Sequence, residues 1–208
     1  MPNSVTPIIA DTAENAQESL ALYRMTLLWG FHKGRQKMSI GSISIVLGDI
    51  TTIPVEAIVN AANTTLLAGG GVCGAIHMAA GLALEEECLK LGGCPTGEAR
   101  ITKGYDLPAK FVIHAVGPKY WDGTQNEAGL LRNCYRAIFT IAKEHQISSI
   151  AIPAIGTGIY RFPINEATAI AVAEAKAAIE SEDIKVIFCC FDKETLDTYN
   201  TAIRQKGD

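Results

Sequence analysis

The chain reads as an α/β protein: a three-layer α/β/α body around a mostly parallel, mixed sheet, preceded by an N-terminal extension that is helical in part. Three observations predict this. Short apolar runs with strand character alternate with longer stretches of helical periodicity along residues 37–208. The runs suit a largely parallel sheet buried on both faces. Glycine-rich loops follow two of them and lead into helices, as in strand–loop–helix units whose ligands sit at the carboxyl ends of the strands.

The extension, residues 1–36, begins with a polar stretch. Over 16–31, Leu20, Leu22, Tyr23, Leu27 and Leu28 recur at roughly helical spacing. Arg24, His32, Lys33 and Arg35 would suit a transit peptide, but Asp11, Glu14 and Glu18 do not, and a cytoplasmic protein is the reading preferred. From residue 37 onward strands are expected at 43–47, 57–60, 111–115, 150–153 and 185–191, with a weaker candidate at 99–102. Helices are expected at 74–91, 127–145, 165–180 and 193–205. No repeat or low-complexity linker divides the body, so it reads as one domain.

Composition narrows the function. Of the 208 residues, 48% are hydrophobic and 19% charged, the balance of a globular protein able to bury a core. A formal net charge of -4 argues against binding to a nucleic-acid backbone, which depends on clustered Lys and Arg. No apolar run approaches the ~18 residues of a membrane span. Six cysteines, without a pair of CxxC motifs, read as reduced thiols rather than disulfides; Cys88 and Cys94 lie close in sequence, but structural zinc is not the preferred reading.

Three segments carry candidate chemistry, each directly after an expected strand. In Gly48-Asp49-Ile50-Thr51 the acidic residue can accept a hydrogen bond from an exocyclic amine, or it can simply stabilise a turn. The second runs from Val59-Asn60-Ala61-Ala62-Asn63 to Gly69-Gly70-Gly71-Val72-Cys73-Gly74, where Gly69, Gly71 and Gly74 fit GxGxxG. Such a loop lets backbone approach a diphosphate and aims helix amides at it without needing a lysine. Asn60 and Asn63 read either as turn caps or as amides that position sugar hydroxyls or water. A dinucleotide-binding Rossmann unit is disfavoured, because the loop after Asn63 is long and no acidic residue ends the next strand. The third segment, 153–163, is a second glycine-rich loop, where Gly156, Thr157, Gly158 and Ile159 can offer amides as a nest. Tyr160 and Phe162 either pack or stack on a ribose or base. GxxxxGK[ST] is missing, which argues against an NTPase.

In this order and spacing, GDIT, VNAAN, GGGV with GAIH, and PAIGTGIY resemble a macrodomain over residues 39–205. Residues 88–102 (CLKLGGCPTGEARIT) with 112–117 (VIHAVG) resemble the MacroD-type branch, whose members hydrolyse ADP-ribose linked to acidic side chains and deacetylate O-acetyl-ADP-ribose. The resemblance implies that Asp49 and Ile50 contact adenine, with Phe191 flanking it, and that Asn63 meets the distal ribose. It also implies that Gly70, Gly71, Val72 and the run Gly156, Thr157, Gly158, Ile159 and Tyr160 hold the diphosphate and distal ribose. ADP-ribose, O-acetyl-ADP-ribose and ADP-ribosylated proteins are the implied partners; no cofactor or metal is, and a monomer is expected.

Where the family pattern has GGGVDGAIHRAAG, this chain has GGGVCGAIHMAAG, with Cys73 for Asp and Met78 for Arg. In the family that Asp helps to orient or activate a water near the anomeric carbon. A neutral thiol is a poor base, although a helix start can lower a thiol's pKa. Cys73 and His77, at i and i+4, raise the alternative of a nucleophilic pair. Two readings follow: a hydrolase of ADP-ribose esters using Asn63 and Cys73, or a reader that keeps the ground-state contacts and lacks turnover.

Overall fold

The computed structural model describes residues 41–204, so the helix expected over 16–31 lies outside the described residues. Six strands, β1 (Ser42–Leu47), β2 (Ala57–Ala61), β3 (Ala99–Lys103), β4 (Phe111–Ala115), β5 (Ser149–Pro153) and β6 (Lys185–Cys190), form one sheet in the order β1-β6-β5-β2-β4-β3. All neighbouring pairs are parallel except β3 with β4, which makes the sheet mixed. Five helices cover it: α1 (Val72–Ala80), α2 (Leu82–Leu91), α3 (Glu127–Glu144), α4 (Ile164–Ser181) and α5 (Lys193–Arg204).

Side-chain alternation along the strands divides the core in two. Ala57, Val59, Ile113 and Ile152 point to one face and pack with Leu131, Ile138, Ala171 and Tyr199 from α3, α4 and α5. Ile58, Val112 and Ala151 point to the other and meet Ile76, Ala80, Leu84 and Cys88 from α1 and α2. Burial on both faces explains why the strands read as unbroken apolar runs.

Two boundaries differ from expectation. The helix expected over 74–91 is two helices, because Gly81 sits at φ 80° and ψ 176° and its amide closes α1 on the His77 carbonyl. A Cβ at Gly81 would lie 2.7 Å from an Asp106 carboxylate oxygen, so the break is packed as well as turned. The last strand stops at Cys190: its neighbour β1 ends at Leu47, opposite Cys190, and Gly48 N closes the ladder on the Cys190 carbonyl. Phe191 therefore stands beyond the sheet, 91% exposed.

The centre of the sheet positions the site. β2 and β5 pair only through Ala57 with Ile150 and Ile58 with Ala151, although β2 continues to Ala61 and β5 to Pro153. Past that point β2 stays with β4, as far as Ala61 with Ala115. The chain leaving β2 reaches α1 on one face and the chain leaving β5 reaches α4 on the other. Neighbouring strands whose connections depart to opposite faces leave a crevice at their carboxyl ends, the usual ligand position in sheets of this kind.

Ile113, wholly buried at the middle of β4, tests the core. Its replacement by Ala is expected to lower stability by about 2–5 kcal/mol, read as a shifted urea midpoint with unchanged slope.

Candidate functional site

The exit of β1 is shaped by Asp49, whose Oδ1 accepts from the Thr51 amide at 2.9 Å and the Thr51 hydroxyl at 2.8 Å. This caps a short 3-10 turn, Ile50–Thr52, so the turn reading of the segment is realised. The Ile50 side chain is buried in the core beneath α1, so a ligand contact at this residue would be made by its backbone. Behind Asp49, the Cys189 thiol donates to the Gly48 carbonyl at 3.3 Å; burial, with the Asp49 charge adding, pushes that thiol up to about 12. Gly48 N bonds to the Cys190 carbonyl, which brings Asp49 and Phe191 to the same rim.

β2 separates its two asparagines. Asn60 is wholly buried, with its Nδ2 3.1 Å from His114 Nδ1 and 3.7 Å from Cys73 Sγ. Its expected role as a ligand contact is therefore corrected to that of a core residue behind the cleft. Asn63 lies partly exposed at the mouth and closes the following turn: Oδ1 accepts from the Thr65 amide (3.0 Å) and hydroxyl (2.6 Å), and Nδ2 donates to the Leu67 carbonyl at 2.8 Å. One Nδ2 hydrogen is left over.

The loop from Gly69 to Gly71 is exposed and runs into α1 at Gly71, which adopts φ 62°. A Cβ on Gly74 would stand 2.5 Å from the Gly69 carbonyl oxygen, so the third glycine of GxGxxG lets α1 pack against its own loop. The first helical bond in this region is Ala75 N to Gly71 O, which leaves the amides of Val72, Cys73 and Gly74 without an acceptor among the described residues. No side chain caps α1 and its first turn carries no acidic residue. Such a helix start favours an anion.

Across the crevice, the loop after β5 turns at Gly156, at φ 83°. The Thr157 hydroxyl and amide both reach the Ala154 carbonyl, at 3.0 Å and 3.5 Å, so Thr157 is committed within the loop. The amides of Gly156, Gly158 and Ile159 find no acceptor among the described residues. The two glycine loops nearly touch: a Cβ at Gly70 would lie 2.9 Å from Ile159 Cδ1. Neither loop contributes a lysine or arginine between its first and last glycine, so an anion here would be met by backbone N–H groups.

Cys73, the second residue of α1, is 4% exposed, and its Sγ lies 3.6 Å from the Leu67 carbonyl as donor. The Cys73–His77 pair raised by the sequence is not formed. Both His77 ring nitrogens are buried without a hydrogen bond of good geometry, although the Leu66 backbone lies beside them. Burial holds the His77 pKa below its ordinary value, so the ring is neutral.

Beneath these residues His114 is buried between Asn60 and Thr102, whose hydroxyl lies 2.8 Å from Nε2. Burial, with His77 adding, pushes its pKa down to about 3. Cys88 Sγ is 3.7 Å from the same Nε2. His77, Cys88 and His114 bring potential ligand atoms within 4.8 Å of one another. Both His114 nitrogens are already engaged, however, and the cluster's evident role is to hold Asn60 and the floor of the cleft. All six cysteines are free and buried.

Sequence reasoning missed the wall formed by the segment after β4. Tyr120 N bonds to the Tyr160 carbonyl at 2.9 Å, the Tyr120 ring meets Phe162 edge-on at 5.0 Å, and Lys119 Nζ sits 5.7 Å over the Tyr160 ring. The Glu127 carboxylate, buried at the start of α3, gathers the amides of Trp121, Asp122, Gly123 and Gln125 at 2.8–3.4 Å. Gly117-Pro118 and Gly123 mark a turn in the sequence, but nothing there shows that a helix residue would organise it.

With this geometry in view, the comparisons identify the class. A family model described as Macro domain matches residues 59–171. The chain belongs to the macrodomain family. It is 54% identical over 163 residues to a macro domain-containing protein of Chlorobaculum tepidum, covering 77% of this chain and 95% of that one. A protein of Shigella flexneri named O-acetyl-ADP-ribose deacetylase is 45% identical over 172 residues, covering 80% and 97%. Among solved structures, a glycine-to-valine mutant of the Oceanobacillus iheyensis macrodomain with ADPR superposes with a TM-score of 0.77 at 37% identity, covering 82% of this chain and 96% of that one. The Trypanosoma brucei macrodomain in complex with ADP-ribose gives 0.73 at 41%, covering 77% and 68%.

Burial alone would raise the Glu127 carboxyl, but the backbone N–H groups around it outweigh that and hold its pKa below the ordinary 4.5. Its contribution to loop order is therefore complete above pH 4.5 and lost as pH falls through the lower folded value. Glu127→Gln is expected to loosen the loop at neutral pH, seen as faster proteolysis at 121–125 and altered Trp121 fluorescence, with the fold retained.

Proposed function

We propose that this chain binds ADP-ribose in the crevice between the β2 and β5 loops and hydrolyses ADP-ribose esters, as a MacroD-type enzyme would. The observation that carries the reading is the two facing sets of uncommitted amides, from Val72, Cys73 and Gly74 and from Gly156, Gly158 and Ile159, at neighbouring strand ends. They suit a diphosphate in a site without cations. Adenine would lie toward Asp49 and Phe191, and the distal ribose toward Asn63, Cys73 and Tyr160. The Trypanosoma brucei macrodomain in complex with ADP-ribose and the Shigella flexneri relative named O-acetyl-ADP-ribose deacetylase support the same assignment. The natural substrates in this reading are O-acetyl-ADP-ribose and proteins ADP-ribosylated on acidic side chains.

With a Glu- or Asp-linked substrate, water adds at the anomeric carbon of the distal ribose, the bond to the ester oxygen breaks, and the carboxylate departs. With O-acetyl-ADP-ribose, water adds at the acyl carbonyl, the bond from that carbon to the ribose oxygen breaks, and acetate leaves while the ribose hydroxyl takes up the proton. The remaining Asn63 Nδ2 hydrogen can orient that water, and the diphosphate can accept its proton. Cys73 contributes no base: its thiol is buried, directed at Leu67 O and unpaired with His77. That observation favours a second reading, a reader that binds ADP-ribose and turns it over poorly.

Calorimetry with ADP-ribose comes first, and Gly74→Ala, whose Cβ would displace the Gly69 backbone, should weaken binding about tenfold or more. Single-turnover release from a Glu-linked substrate then separates the readings. An acidic residue at Cys73 would sit at an uncapped helix start, which favours it. Cys73→Asp is expected to raise the rate at least about tenfold and Asn63→Ala to lower it by a similar factor. Binding without release by the unsubstituted chain, with release restored by Cys73→Asp, identifies a reader; no binding of ADP-ribose overturns both.

A further inference from the structure

We propose that Lys119, Trp121 and Arg161 form a docking surface, continuous with the cleft, for an acidic peptide segment flanking the ADP-ribosylated side chain. The inference rests on the ADP-ribose reading of the cleft and adds to it the chemistry of the protein part of the substrate.

Tyr160 ties this surface to the cleft. Its neighbour Ile159 meets the first glycine loop at Gly70, burial, with Cys73 adding, raises the pKa of its phenol, Lys119 stands over its ring, and Arg161 follows it in the chain. With the distal ribose toward Asn63, Cys73 and Tyr160, whatever is esterified to that ribose leaves the cleft past Tyr160 and meets these residues next.

Two features mark the surface as built for contact. Trp121 is 78% exposed, yet its backbone is fixed by the Glu127 carboxylate, so a large aromatic is presented to solvent from an ordered loop. Exposed aromatics beside arginine are the usual anchors of recognition surfaces, and a held one loses little conformational freedom on binding. Arg161 adopts φ 57°, a left-handed conformation that disfavours a residue bearing a Cβ, although glycine would take it without strain. An arginine kept in such a place beside a site points to a use for its side chain.

Charge identifies the occupant. Lys119 and Arg161 are exposed, and no carboxylate among the described residues pairs with either. Of the nearby acids, Asp122 Oδ1 accepts from the Thr124 amide and hydroxyl and Glu127 from backbone amides, while the exposed Glu166, whose charge also reaches Tyr120, forms no ion pair with Lys119 or Arg161. Lys119 and Arg161, on two segments joined by the bond from Tyr120 N to the Tyr160 carbonyl, the first of which also carries Trp121, place two cations without an acidic partner on a chain of net charge -4 and so complement Asp and Glu side chains. A segment with a modified Asp or Glu among other acidic residues meets that requirement.

The test uses the full chain and three ligands: ADP-ribose, a peptide carrying ADP-ribose on one residue through a hydrolysis-resistant linkage with Asp and Glu flanks, and the same peptide with Ser and Gly flanks. The acidic peptide is expected to bind at least fivefold tighter than ADP-ribose, with the gain shrinking as salt rises, and the neutral peptide to match ADP-ribose. Trp121→Ala, and separately Lys119→Ser with Arg161→Gly, should remove the gain and leave ADP-ribose affinity within twofold. Arg161→Gly relieves the backbone, so the fold should survive. Equal affinity for all three ligands, or a gain that survives both variants, overturns the docking surface and leaves the ADP-ribose reading intact. With poly(ADP-ribose) added as a fourth ligand, a gain for the polymer and none for the acidic peptide assigns the two cations to polymer and overturns it too. Failure of ADP-ribose itself to bind removes the reading beneath it.

Discussion

The short pairing of β2 with β5 is the constraint on which the site depends. Two residue pairs hold the strands together, Ala57 with Ile150 and Ile58 with Ala151, and beyond them β2 remains with β4 while its neighbour departs. The crevice thus comes from the sheet, and the loops only line it. Because β2 feeds α1 and β5 feeds α4 on the opposite face, each side of the crevice receives a glycine-rich loop whose amides the fold leaves uncommitted. Longer pairing would close the gap, and connections to one face would stack the loops on each other.

That opening is held by a buried polar chain rather than by apolar packing alone. Asn60 emerges from β2 into the core, where His114 and Cys73 meet its amide, and Thr102 of the antiparallel β3 anchors His114 from the other side. Burial keeps this histidine neutral, so the chain of contacts does not change through the physiological range. Four segments, β2, β3, β4 and α1, are thereby tied together beneath the cleft. The same arrangement fixes the meaning of Cys73. Its thiol belongs to the floor of the cleft, between Asn60 and Leu67, and it gains no basic partner from His77.

Outside the cleft, the wall after β4 shows how a distant residue can set a surface. Glu127 begins α3, yet its carboxylate spends itself on the loop before it, and through Tyr120 that loop is tied to the backbone of Tyr160. One buried carboxylate thus anchors the backbone at Trp121, and the bond from Tyr120 N to the Tyr160 carbonyl brings Lys119 beside the Tyr160 ring.

By itself, the sequence determined the α/β class, five of the strands to within a residue or so at either end, the placement of the glycine loops at strand ends, and the substitution at Cys73. These are local properties: apolar runs, glycine spacing and strand–loop–helix order are written in consecutive residues. Tertiary structure decided the rest. It split the expected helix at Gly81, where packing against Asp106 requires a residue without a Cβ. It sent Asn60 into the core and left Asn63 at the mouth, although both sit in one VNAAN run, because alternation along β2 and the partner strand β4 fix which faces inward. It left His77 and Cys73 without a hydrogen bond between them despite their helical spacing, the thiol turning to the Leu67 carbonyl, and it placed the Tyr120–Glu127 segment beside the loop after β5. Each outcome depends on contacts between residues far apart in the chain, and local patterning carries no record of them.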